Sequence, residues 1–161
     1  MSVREHQGEG EDLVPVALRV AIVVVFLAAF AADLLTKQWA ISHASGLIFN
    51  DKPSDLPLRM LMSVVAIAVA FVLARFAARR GLGRQWGVWI GVSLLVAGTL
   101  ANGVSPLLWA QGVPDFIALN GGWVWNVADF EIAVGMVGGI LSVAVSAVVV
   151  YAREVTARRC P

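Results

Sequence analysis

The sequence predicts an all-α integral membrane protein, a four-transmembrane-helix bundle with short extracytoplasmic loops. Two observations carry that prediction. The 161-residue chain is 59% hydrophobic and only 14% charged, where soluble domains carry about 25% charged residues. Its apolar residues also gather into four runs, each long enough to supply the ~20 residues that span a ~30 Å hydrocarbon core. None of the runs alternates as a strand does, and in lipid such a run satisfies its backbone only as a helix.

The first run covers about residues 14–40, with its cleanest stretch at 20–32. Ala29-Phe30-Ala31 has the small-x-small form of a secretory cleavage site. The acidic N-terminal tail is a poor signal region, however. The apolar pattern also continues past Asp33 through Leu34, Leu35, Trp39 and Ile41, so the helix is expected to stay attached. The second run covers 60–78, the third 86–109 and the fourth 126–151. Together they form one membrane domain, residues 13–152. It is flanked by a polar tail at 1–12, expected to be disordered and cytoplasmic, and a basic cytoplasmic tail at 153–161. Gly135 and Gly139 make a small-xxx-small pair, which predicts close helix packing on the fourth helix.

Arginine placement sets the orientation. Arg4 and Arg19 precede the first helix. Arg75, Arg79, Arg80 and Arg84 lie at the 2–3 link, and Arg153, Arg158 and Arg159 follow the fourth helix. The 1–2 link holds Lys52 and Arg59, and the 3–4 link holds no Lys or Arg. By the positive-inside rule both termini are cytoplasmic and residues 112–125 face outward. Trp109, Trp123 and Trp125 fit an outer aromatic belt. A net charge of +1 gives no electrostatic case for nucleic acid. The single cysteine, Cys160, excludes an intrachain disulfide. His6 and His43 fall on opposite sides of the membrane and nothing has ligand spacing, so no metal is expected. Ser105 has no histidine placed to activate it as a nucleophile.

A few polar residues in the apolar runs need a reason. Asp33 and Lys37 are four apart and share a helix face, as an interfacial ion pair or as braces for a site at that depth. Asn102 sits late in the third helix, suited to a helix–helix hydrogen bond or to a site. Asn126 and Asp129 have capping-box spacing, and Asp115 follows Pro114 as in a turn. Asp115 and Asp129 carry more meaning as a pair. Two carboxylates held close share a proton, which leaves one general base and one general acid at neutral pH. Such a pair suits aspartic-type peptide hydrolysis.

At these residues the chain resembles the bacterial lipoprotein signal peptidase (signal peptidase II) family. Asp33-Leu34-Leu35-Thr36-Lys37 is similar to its first motif. Gly98-Thr99-Leu100-Ala101-Asn102 is similar to its glycine-rich run ending in asparagine. Val113-Pro114-Asp115-Phe116-Ile117 and Trp125-Asn126-Val127-Ala128-Asp129 resemble its two aspartate motifs. The resemblance implies an intramembrane aspartyl endopeptidase of the bacterial cytoplasmic (inner) membrane. Such an enzyme removes signal peptides from diacylglyceryl-modified prolipoproteins at the outer side, works as a monomer among phospholipids and needs no cofactor. It implies Asp115 and Asp129 as catalytic residues, with Asp33, Lys37, Asn102 and Asn126 in support. The chain departs from the family where Ser105 and Pro106 replace an Asp-Arg pair. It also lacks the Asn-x-Gly-Ala-Ala-Phe motif between His43 and Arg59, has one extra residue between Asn102 and Asp115, and is shorter from Asp115 to Asp129. These departures imply a thinner support around the carboxylates. They also give a second reading, a catalytically silent relative that binds lipidated peptides or a membrane partner.

Overall fold

In a computed structural model the described residues are 15–50, 56–79 and 85–159. The expected tail at 1–12 and the last two residues of the expected tail at 153–161 lie outside them, with Arg4, His6 and Cys160, as do Lys52, Arg80 and Arg84. The elements run α1 (Val16–His43), β1 (Ile48–Asn50), α2 (Leu56–Ala77), α3 (Trp86–Leu108), β2 (Val113–Asp115), β3 (Ile117–Ala118), β4 (Val124–Trp125) and α4 (Val127–Arg159). Helix dominates. Among the described residues three helices are long and apolar enough to cross a membrane: α1, α3 and Val127–Ala152 of α4. The apolar stretch of α2, Met60–Phe76, is shorter. The protein is therefore a multi-pass membrane protein.

Helix α3 is the hub and packs against α1, α2 and α4. Its buried positions are almost all small, including Gly91, Ala97, Gly98, Ala101, Gly103 and Ser105. Small residues let backbones approach where lipid offers no hydrophobic drive to association. The closest approach is to α4. A methyl group on Gly91 would lie 2.8 Å from the Gly135 carbonyl oxygen and 2.9 Å from Gly139 Cα. One on Gly135 would lie 2.6 Å from both the Gly91 oxygen and the Leu95 nitrogen. Gly139 has nothing within 4 Å of such a methyl group. The Gly135/Gly139 surface is thus real but unequal. Gly91→Ala and Gly135→Ala are each expected to cost about 1–3 kcal/mol by overpacking against backbone that cannot step aside. Gly139→Ala should be tolerated. Thermal unfolding of the three variants in detergent checks this.

Several sequence expectations need correction. Short strands lie at one end of the helices, in the links after α1 and between α3 and α4, so the chain is not purely α. β1 pairs antiparallel with β2, with Ile48 opposite Asp115 and Asn50 opposite Val113. β3 pairs antiparallel with β4. Two- and three-residue strands are too short for alternation to reveal them. Asp115 accordingly lies in a strand and not in a turn. Helix α1 continues to His43, whose ring stacks on Trp39 at 5.3 Å. Helix α4 starts at Val127 and runs on to Arg159, so residues 153–159 extend the helix and do not form a separate tail. Residues 152–159 hold no Gly or Pro to stop it.

Candidate active site

The site forms where the C-terminal ends of α1 and α3 and the start of α4 meet the β1–β2 ladder. It begins with the start of α4. The first N–H groups of a helix have no partner within it. Here they are met from two sources. Asp129 and Asn126 form the expected capping box: Asn126 N–H donates to Asp129 Oδ2 at 2.9 Å, and Asp129 N–H donates to Asn126 Oδ1 at 3.2 Å. The Ala128 N–H is met across the bundle by Asp33 Oδ1 at 2.8 Å. Asp33 is therefore an N-terminal partner of α4 supplied by α1, where a carboxylate also suits the helix dipole.

The other oxygen of Asp33 faces Lys37 Nζ at 2.7 Å, and both side chains are fully buried. Lys37 also donates to Asn102 Oδ1 at 2.7 Å and to Ser105 Oγ at 3.1 Å. An ammonium has three protons and no acceptor; Asn102 and Ser105 accept two of its hydrogen bonds, and the Asp33 carboxylate is its ion-pair partner. That fixes Asn102. Its oxygen must face Lys37, and its Nδ2 is left to donate to Asp129 Oδ1 at 2.9 Å. Asn126 is fixed in the same way: its oxygen takes the Asp129 N–H, and its Nδ2 donates to Asp115 Oδ1 at 2.6 Å. On the far side Asn50 Nδ2 donates to Asp115 Oδ2. One hydrogen-bonded chain therefore runs Asp33–Lys37–Asn102–Asp129–Asn126–Asp115–Asn50. It contains all six residues singled out from the sequence.

Asn126 bridges the two aspartates, with its side chain on one and its backbone on the other. Asp115 is buried and Asp129 half-buried, and both line one open groove of about 400 Å³. Burial pushes the Asp115 carboxyl up from the usual carboxylate range. The Asn126 amide opposes that rise, the Asp129 charge adds to it, and Asn50 and Lys37 pull back more weakly. No group of three or more metal-ligating side chains occurs among the described residues.

Three polar residues had no assigned part in the sequence reading. Asn50 sits opposite Val113, which puts its side chain on the same ladder face as Asp115, diagonally across. A three-residue strand with no alternation gave no signal for it. Ser105 accepts from Lys37 and donates to the Ala101 carbonyl at 2.7 Å, so it is a fully used neutral partner for the buried cation. Its spacing of three from Asn102 was the available sign. Glu131 is buried on α4 beside Gly98 and lies outside the hydrogen-bonded chain.

The signal peptidase (SPase) II family matches residues 43–145, which include both aspartates and the asparagines. The chain belongs to the signal peptidase II family. A lipoprotein signal peptidase of Bifidobacterium adolescentis is 31% identical to it over 76% of each chain. The fold matches a bacterial membrane enzyme solved by the in meso method, with a TM-score of 0.57, over 77% of this chain and 87% of that one. Identity to that enzyme is 14%, so it speaks for the fold alone. In this signal peptidase II family member the hydrogen-bonded chain is assembled with Ser105 and Pro106 in place. Pro106 is tolerated because it falls in the last turn of α3, where the one backbone bond it removes is the Asn102 carbonyl's.

Proposed function

We propose that this protein is an active aspartyl endopeptidase that cuts diacylglyceryl-modified prolipoproteins on the N-terminal side of the modified cysteine. The observation that carries the proposal is the hydrogen-bonded chain that holds Asp115 and Asp129 on one groove. Asp129 accepts donors at both oxygens and reaches the buried cation through Asn102. It serves as general base toward water. Asp115, the more buried of the two, holds the shared proton and gives it to the carbonyl oxygen under attack. The low dielectric of the surrounding apolar helices strengthens both interactions. The reaction uses no cofactor, and the working unit is a monomer surrounded by phospholipid.

The chain crosses the membrane four times, α2 included, with both termini cytoplasmic and the groove outside. The arginine asymmetry supports this topology. Cysteine labelling is expected to reach residue 112 from the outer side and residue 80 only from the inner side. The reverse pattern overturns the placement of the site.

The decisive assay is cleavage of a diacylglyceryl-modified prolipoprotein by purified protein in detergent or lipid. Cleavage by wild type is expected. Binding without cleavage, by folded protein, would favour the silent-relative reading. Asn50 adds a test through pH. Its donor favours the charged form of Asp115, so Asn50→Ala raises the Asp115 pKa further. The alkaline limb of the rate profile should then move to higher pH, with a loss of about 2- to 10-fold in rate from the lost hydrogen bond. An unmoved limb shows that Asn50 does not act on Asp115.

A further inference from the structure

The groove has a charge pattern that bond cleavage by itself does not require. Its lining holds Asp115, Asp129, Trp123 and Trp125, and no lysine or arginine among the described residues. Lys37 is fully buried behind Asn102, with its donors engaged. Two carboxylates sharing one proton leave the groove negative.

Trp123 stands at its mouth and is 69% exposed despite its size. It leaves a turn through Gly121 and Gly122, whose φ angles of 98° and 85° suit glycine. The turn is closed by the Leu119 N–H donating to the Trp123 carbonyl at 2.8 Å. The neighbouring indole of Trp125 is already engaged, edge-on to Phe130 at 5.0 Å. Trp123 is therefore the aromatic face left open beside a negative floor. That combination attracts a cation, through the ring quadrupole and through a field focused by apolar walls.

The layout also gives a direction. From Asp129 the groove follows Ile132, Ala133 and Met136 along α4, the apolar side. The β3–β4 hairpin lies at the opposite end. A peptide passing the carboxylates lays its apolar segment along α4 and its water-side residues beneath Trp123.

We propose that Trp123 and the negative groove form a subsite for a basic side chain in the first residues after the scissile bond. The proposal rests on the peptidase reading. It is tested with matched diacylglyceryl-modified peptides that carry lysine, its neutral analogue norleucine, or glutamate at each of the first three positions after the modified cysteine. At the favoured position kcat/KM should rank lysine above norleucine above glutamate. The lysine advantage should be about 3- to 30-fold and should shrink as salt is raised. Trp123→Ala should remove the lysine advantage, and Trp123→Phe should keep part of it. Cleavage with no side-chain preference overturns the subsite and leaves the peptidase reading standing. A Trp123→Ala variant that loses rate equally on all three peptides, with the ranking kept, makes Trp123 an interfacial anchor and also overturns the subsite. No cleavage of any peptide overturns the peptidase reading and the subsite together.

Discussion

Asp115→Asn and Asp129→Asn are each expected to abolish prolipoprotein cleavage while the protein stays folded. An amide keeps nearly the shape of a carboxyl and can still take part in the surrounding hydrogen bonds. It cannot cycle a proton. Loss of a general acid or base costs about 10²–10⁴ in rate, and members of a unit fail together, so the double variant should be little worse than either single one. The Asp129 change carries one further effect, because its Oδ2 also caps α4. Asparagine retains an acceptor for that role but sets its Nδ2 against the Asn102 Nδ2 donor, so the unfolding temperature should fall modestly while the protein stays folded. In the wild type the pH profile of kcat should be bell-shaped and report the pair, not either residue alone. Its alkaline limb should lie above the usual carboxylate range, because burial pushes Asp115 up. Activity retained in Asp129→Asn would show that the catalytic pair is misassigned.

The second large effect concerns stability. Lys37→Met should destabilise the fold by about 3–5 kcal/mol, the usual cost of leaving a buried charge without its partner. The carboxylate left behind is Asp33, fully buried and tied to the start of α4. Asn102 would also lose the ammonium that fixes its orientation, so its amide could turn away from Asp129. Cleavage should therefore fall even where the protein is kept folded by low temperature. Adding Asp33→Asn to Lys37→Met removes the stranded charge. The double variant should be more stable than Lys37→Met alone, read as a double-mutant cycle of unfolding temperatures in detergent. If Lys37→Met leaves both stability and rate unchanged, the hydrogen-bonded chain does not hold the site together.

The Ser105 and Pro106 departures take on a different meaning once the geometry is known. From the sequence alone, the loss of an acid and an arginine implied a thinner support around the carboxylates. In the structure Ser105 accepts a hydrogen bond from Lys37, and Asn50 supports Asp115 from the β1 strand. Ser105→Ala should thus cost more than a residue with no contacts would. It strands one donor of a buried ammonium, and the remedy in the sequence is not a nucleophile but a neutral acceptor.

The sequence by itself determined the membrane class, the helices and the family. Those follow from long apolar runs and from short motifs, and both are local in the chain. It also named six of the residues in the hydrogen-bonded chain, because an ionisable or amide group inside an apolar run is costly and needs a reason. What it left open were pairs of alternatives: cap or catalytic residue for Asp129, ion pair or brace for Asp33 and Lys37. Tertiary structure shows that the two members of each pair are compatible, because each carboxylate puts its two oxygens to different uses. Asp129 uses one oxygen to cap α4 and the other to meet Asn102, and Asp33 uses one to hold Lys37 and the other to cap a helix 95 residues away in sequence. Asn50 was illegible for the same physical reason. Its partner is 65 residues distant, and it is brought there by a strand pairing too short to leave a periodic pattern. A carboxylate has two oxygens and several acceptor positions, and only the packing of α1, α3 and α4 settles which donor each one meets.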